Sequence, residues 1–295
     1  MGIPFEVVQL KTDDKLFIHA LYANPERSKG CFVFIHGLVS DVFSSLGRDL
    51  ADSLYAAGYS TLLLNTRGAG LVRSFDREDK RKASGTRYET IGTAYEVFTE
   101  SEYDIQAAVD FLKKQKEKNI YLLGHSTGCQ KSIHYLSQWG KQKYVKAAIL
   151  LGPLSDHAVI KRDLGNDYDL TLAYVKKMVK DGSRNELVPK HLFDEFMISS
   201  QRLLSLIDPK SKEEVFTYAS GRKPKALQSI KTPLLVVLAG EDEYNERPVL
   251  ALVEWFEEQI AAKKSRVEWV DGADHSFTSK REGLSDLINK WVEQL

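Results

Sequence analysis

Five short, nearly continuous apolar runs constrain this chain more than any other feature. They are "CFVFIHG", "STLLLNT", "NIYLLG", "VKAAILLGP" and "TPLLVVLAG". Each is too short for a core helix, and its unbroken apolarity is that of a strand covered on both faces. Helical patterns separate them. "FSSLGRDLADSLYAAGY" brings Leu46, Leu50 and Leu54 onto one face and stops at Gly58. "SEYDIQAAVDFLKKQ" is amphipathic, with Ser101 as its N-cap. "GCQKSIHYLSQWG", Pro248–Ala262 and "REGLSDLINKWVEQL" are further helices, and "SRVEWVDG" is the last strand. Strands alternating with helices predict an α/β fold: a mostly parallel sheet flanked by helices. "FEVVQLKTDDKLFIHALYA" reads as a hairpin turning at Asp13-Asp14, which adds an antiparallel edge.

Two stretches break the rhythm. From Arg67 to about Gly92 the chain is polar, and a long loop is expected, including the mixed but basic "DREDKRKASGTR". Between strands six and seven lie residues 154–231, far more than a β/α connection needs. They carry helical patterns, "DLTLAYVKKMVKDG" and "PKHLFDEFMISSQRLLSLI", and are expected to form an inserted helical cap. The predicted organisation is a core of 1–153 and 232–295 with a cap of 154–231. There is no internal repeat and no low-complexity tract.

Composition excludes more than it specifies. Lys plus Arg equals Asp plus Glu, at 41 each, so no global charge favours nucleic acid or an anionic membrane. The two cysteines, Cys31 and Cys129, fall in apolar surroundings, which argues for a reducing compartment rather than a disulfide framework. No apolar run reaches membrane-span length, and "MGIPFEVVQL" has no secretory pattern. It opens Met-Gly, but Glu6 stands where a myristoylation motif wants Ser or Thr. A cytoplasmic location is expected from these absences. No cluster has metal-ligand spacing, and the oligomeric state is not encoded in any feature of the chain.

The chemistry begins at "YLLGHSTGCQ", residues 121–130. Gly-x-Ser-x-Gly alone is weak and arises by chance in about one chain in ten of this length. Placement is the stronger signal, because the pattern sits between a strand, "NIYLLG", and a helix, "GCQKSIHYL". A sharp turn there leaves the Ser126 hydroxyl exposed above the sheet. Serine is nearly inert at neutral pH and needs a base, which in turn needs a group to orient it. Of seven histidines, His275 in "VDGADHSF" lies after the last strand, at the same sheet edge as Ser126. The loop after the preceding strand, "LLVVLAGEDEYNE", offers Glu241, Asp242 and Glu243, and Asp156 lies after strand six. The backbone N–H of Thr127 and of Leu38, after "FVFIHG", are the expected oxyanion donors. Cap residues Leu172, Val175 and Phe196 are expected to wall the pocket. Cys129 is read as packing behind the serine.

At this point the chain resembles the α/β-hydrolase superfamily over nearly its whole length. "FIHGL", "NTRGAG", "GHSTG", "AGEDEY" and "GADHSF" fall where that fold places its landmarks. "NTRGAG" is similar to an Asp-x-Arg-Gly-x-Gly turn, with Asn65 for the aspartate and a structural role. "GHSTGCQKSIHYL" with "AAILLGPLSDHAV" looks like a subgroup related to fungal siderophore esterases. The resemblance implies ester hydrolysis by a Ser-acid-His triad through an acyl-enzyme, without a cofactor, on a small-molecule ester. Counting from Gly240 picks Glu243 as the acid, whereas the Asp-Glu-Tyr run of that subgroup picks Asp242. Asp242 is preferred, since its shorter arm loses less rotamer freedom. Two alternatives accompany the ester reading. One is an amide, thioester or lactone substrate on the same machinery, and the other is a slow-turnover receptor of the same fold.

Overall fold

A computed structural model describes residues 2–138 and 141–295. In chain order it contains β1 (Glu6–Lys11), β2 (Phe17–Ala23), β3 (Cys31–Ile35), α1 (Ser45–Ala56), β4 (Ser60–Leu64), β5 (Arg73–Glu78) and β6 (Thr86–Ile91). Then come α2 (Ser101–Lys114), β7 (Ile120–His125), α3 (Thr127–Gln138), β8 (Ala147–Leu151), α4 (Asp156–Leu164), α5 (Tyr168–Lys180), α6 (Ser200–Ile207) and α7 (Lys225–Ser229). The chain closes with β9 (Leu234–Ala239), α8 (Val249–Gln259), β10 (Arg266–Val270) and α9 (Arg281–Val292). The final residues of "GCQKSIHYLSQWG", 139 and 140, lie outside the described residues.

Among the described residues, eight strands form one sheet in the order β1-β2-β4-β3-β7-β8-β9-β10. β1 and β2 pair antiparallel, as do β2 and β4, and from β4 to β10 every pairing is parallel. Strand alternation divides the core. Cys31, Val33 and Ile35 of β3 face α2, α3 and α8 through residues such as Ile105, Ile133 and Phe256. Phe32 and Phe34 face α1 and α9 through Leu50, Ile288 and Trp291. Both faces are covered, which is why the strand sequences are continuously apolar.

Register brings the site-bearing loops to one edge. Ile35 pairs with Gly124, His125 with Leu151, and Ala239 with Val270, so β3, β7, β8, β9 and β10 all end at that edge. Four loops that follow them carry Leu38, Ser126, Asp242 and His275.

Three sequence expectations are corrected. The stretch from Arg67 to Gly92 holds a β5–β6 hairpin. Its strands are mostly polar and are joined by Arg77 clamped on Glu89, while Phe75 and Ile91 bury into the main core. The segment "PKHLFDEFMISSQRLLSLI" is helical only over Ser200–Ile207; upstream of it, Val188 N–H bonds back to the Ile198 carbonyl and closes a loop. Ser101 does not cap α2 with its side chain; it is the first helical residue, behind Glu100.

The long connection between β8 and β9 does not pack as one unit. Ile160, Val175, Phe193, Leu203 and Ile207 form a hydrophobic cluster of their own. Val215, Phe216, Leu227 and Ile230 join the main core instead. Buried charges tie the two together. Lys131 of α3 lies 2.6 Å from Glu96, Glu96 lies 3.5 Å from Arg202 of α6, and Arg202 donates to Glu213 at 2.9 Å. All four are at most 2% exposed at the side chain.

The arginine of "NTRGAG" is equally buried. Arg67 pairs with Asp104 of α2 at 2.9 Å, with Asp14 at 3.0 Å and with Glu100 at 2.5 Å. Removing one partner of a buried pair strands the other in low dielectric, which costs about 3–5 kcal/mol. Asp104→Ala should therefore lose that much stability in urea unfolding. Asp14→Ala should lose clearly less, since Asp14 is partly solvated.

Candidate active site

β7 enters α3 through a turn with no slack. Ser126 has φ of 54°, a left-handed conformation that non-glycine residues rarely adopt. Its N–H donates to the Leu151 carbonyl of β8 at 3.0 Å, and its carbonyl accepts from Cys129 N–H at 2.8 Å. The flanking glycines are required by close approach. A Cβ on Gly128 would stand 2.0 Å from the Ile35 carbonyl oxygen, and one on Gly124 would stand 2.5 Å from the Gly128 oxygen. Ser126 is half-buried and lines a cavity of ≈ 430 Å³. Thr127 opens α3, so its N–H has no acceptor within the helix.

His275 lines the same cavity. Its Nδ1 bonds Asp242 Oδ2 at 2.7 Å, and both side chains are buried. Glu243 takes a different place: its Oε2 accepts from the His275 backbone N–H at 3.0 Å. Asp156 is buried on the cavity wall, where its Oδ2 accepts from Gln130 at 2.7 Å. Burial, reinforced by Glu213 and Glu214, pushes its carboxyl well above the usual range. Of the three candidate acids, Asp242 is therefore the one joined to the imidazole ring.

The imidazole is confined from several sides. A Cβ on Gly152, after β8, would lie 3.2 Å from His275 Nδ1, so only glycine lets the ring sit there without displacement. Tyr244 packs edge-on at 4.8 Å between centroids. His125, the residue before Ser126, lies 4.9 Å away and bonds the His275 carbonyl through Nε2 at 2.9 Å. Burial and the neighbouring His275 push His125 down to about 4, so it is neutral at pH 7. Nothing in the sequence pointed to the contact of either ring with His275, although Tyr244 stands in the Asp-Glu-Tyr run.

The remaining walls are Gly37, Leu38, Leu46 and, from the inserted segment, Leu154, Val159, Ile160, Glu195 and Phe196. Phe196 is placed at the cavity, while Leu172 and Val175 are not. Val175 is fully buried in the insertion's own cluster and Leu172 packs against that cluster. A helical pattern identifies an apolar face without identifying what covers it. Cys129 is buried behind the turn, its Sγ within hydrogen-bond reach of the Gly124 and Leu151 carbonyls. Burial pushes its thiol well up. Among the described residues, no group of three or more His, Cys, Asp or Glu is arranged to hold a metal, and no helix is long and apolar enough to cross a membrane.

Comparison with known proteins places this geometry. Est1E from Butyrivibrio proteoclasticus, solved with ferulic acid bound, superposes with a TM-score of 0.67 at 17% identity, covering 97% of this chain and 98% of its own. The siderophore hydrolase EstB from Aspergillus fumigatus superposes at 0.69 and 16% identity, covering 99% and 98%. In sequence, the UPF0613 protein PB24D3.06c of Schizosaccharomyces pombe is 26% identical over 220 residues, 65% of this chain and 70% of the relative. Residues 87–295 match a family described as "Protein of unknown function (DUF1749)". With a mostly parallel sheet, helices on both faces and these structural neighbours, the chain has the α/β-hydrolase fold and belongs to the DUF1749 family.

Proposed function

We propose that this chain is a serine hydrolase that cleaves a carboxylic ester through an acyl-enzyme. The observation that carries the reading is the 2.7 Å bond from His275 to Asp242 beside a cavity that Ser126 also lines. With Nδ1–H given to Asp242, the opposite nitrogen, Nε2, is left as the base. It takes the Ser126 proton as Oγ attacks the ester carbonyl, and Asp242 stabilises the imidazolium that forms. The N–H groups of Thr127 and Leu38 donate to the oxygen that becomes negative. Collapse breaks the bond to the alcohol, which leaves with the proton from His275. Water, deprotonated by the same histidine, then attacks the acyl-enzyme and releases the acid and Ser126. Every step uses side chains and backbone of this protein, and none calls for a cofactor. The neutral state of His125 favours the scheme, since a charged neighbour would oppose the imidazolium.

An ester is favoured over the other acyl compounds by neighbours that share the fold, among them one named as an esterase of Pyrococcus furiosus and one named as a siderophore hydrolase. The helical insertion acts as a cap in this scheme, with Phe196, Val159 and Ile160 meeting the apolar part of the substrate.

Ser126→Ala should fold with an unchanged melting temperature and lose at least about 10³ in kcat. A fluorophosphonate probe should label the wild type and leave the variant unlabelled; equal labelling and turnover would move the nucleophile elsewhere. Asp242→Asn should lower kcat by about 10⁴, the scale seen when the histidine tautomer is set wrongly, while Glu243→Gln and Asp156→Asn cost far less. Phe196→Ala should reorder preference along a series of acyl chains, by about 1–3 kcal/mol per methylene, without abolishing probe labelling. An unchanged order would remove the cap from substrate selection.

A further inference from the structure

Val39 has φ of 51°. A β-branched residue avoids that left-handed region, because its Cβ crowds the backbone. Val39 directly follows Leu38 in the loop from β3 to α1, so the peptide that joins them holds Leu38 from its carboxyl side, while the peptide that carries the Leu38 N–H is held through its Gly37 carbonyl, 2.8 Å from His36 Nδ1. Several bonds tie this loop to the turn that follows β4. His36 Nε2 accepts from Thr66 N–H at 3.2 Å, Ser40 carbonyl from Gly70 N–H at 3.0 Å, and Asn65 Oδ1 from Val42 N–H at 3.0 Å. These bonds give "NTRGAG" a task, which is to hold the loop from β3.

The bond at the strained residue itself comes from elsewhere. Val39 N–H donates to Thr93 Oγ1 at 2.9 Å, and Thr93 Oγ1 donates onward to the Gly68 carbonyl at 2.9 Å. Thr93 N–H is in turn bound to the Gly70 carbonyl at 2.9 Å, and the residue is fully buried. One hydroxyl thus satisfies a donor on one segment and an acceptor on another. A valine of the same shape would leave both backbone groups without their partner. Without that partner the unfavourable φ loses the bond made at its own N–H, and the Leu38–Val39 peptide is held only through its neighbours.

We infer that Thr93 is a positioning residue for the oxyanion loop, its hydroxyl holding Val39 in the left-handed conformation and so anchoring Leu38, whose N–H lies on the preceding peptide, from its carboxyl side. This rests on the hydrolase reading above, in which that N–H meets the oxyanion. Such a residue acts on the transition state and leaves ground-state binding alone.

The test uses the full chain and an activated aryl ester, with Thr93→Val, Thr93→Ala and Thr93→Ser beside the wild type. Alanine leaves room for a water and serves if valine does not fold. Valine or alanine should lower kcat about 10- to 100-fold, the effect of a displaced catalytic group, with KM within about threefold. A trifluoromethyl ketone, whose carbonyl carbon adds Ser126 Oγ to give a hemiketal oxyanion in the same place, should bind more weakly by the same factor. Serine, which keeps the hydroxyl, should restore kcat to within about twofold of wild type. Serine as damaging as alanine, or a loss confined to KM or to melting temperature, would overturn the inference. A wild type that neither takes the fluorophosphonate nor turns over esters would overturn the hydrolase reading, and this inference with it. A labelled, active wild type whose kcat survives Thr93→Ala would overturn this inference alone.

Discussion

The contact between the start of α3 and the end of β3 controls everything around it. The helix that carries Ser126 begins so close to the neighbouring strand that one added methyl at Gly128 would overlap the Ile35 carbonyl. That closeness forces the chain to leave β7 through a left-handed residue, and the side chain at that residue is raised above the sheet edge. Six non-glycine residues have positive φ among those described. Lys15, Lys116 and Lys264 are exposed positions in or beside turns away from the cavity. Val39, Ser126 and Phe277 stand in the three loops that supply Leu38, the serine and the histidine. Strain of this kind costs of order 1–3 kcal/mol per residue and persists only where surrounding contacts over-determine it.

Those contacts come mainly from a rigid sheet. Covering both faces leaves the strands little freedom, and shared register levels their ends. The loops can then be short, and a short loop between fixed ends holds a side chain with little entropy left to lose. Gly152 shows the reciprocal demand. It contributes no side chain, yet any side chain there would displace the His275 ring. Identities below 20% to other proteins with this fold are consistent with constraints that fall on a few backbone approaches rather than on most side chains.

Much of this was legible in the sequence, for physical reasons. Strands buried on both faces must be continuously apolar, so all eight strands of the main sheet could be read from their runs or alternation. The serine and histidine could be placed because their loops follow two such strands. The β5–β6 hairpin was not legible, since "RSFDRE" and "TRYETI" are mostly polar and only Phe75 and Ile91 of them are in the main core. Leu192, Phe193, Phe196 and Ile198 have spacings that suit a helix, but they cover a loop closed by Val188 and Ile198. Leu172 and Val175 lie on a true apolar face that turns toward the insertion's own core. The three acids of "EDE" are adjacent in sequence, and only side-chain direction distinguishes the carboxylate at the ring from the one at the backbone N–H. Thr93 left no trace, because a threonine in a polar stretch does not reveal that it will be buried between two backbones.

The buried chain of Lys131, Glu96, Arg202 and Glu213 bears on how such a protein can be remodelled. Lys131 and Glu96 belong to the α/β framework and Arg202 and Glu213 to the inserted segment; each pair is neutral in itself, and the 3.5 Å contact between Glu96 and Arg202 joins them. Excising the insertion would leave the Lys131–Glu96 pair in place but take away the guanidinium that meets the other oxygen of Glu96. Grafting an unrelated insertion would bury those same charges against whatever it brought. A replacement for the inserted segment would therefore have to answer the second oxygen of Glu96, with a matching arginine and glutamate or after neutral substitutions at 96 and 131.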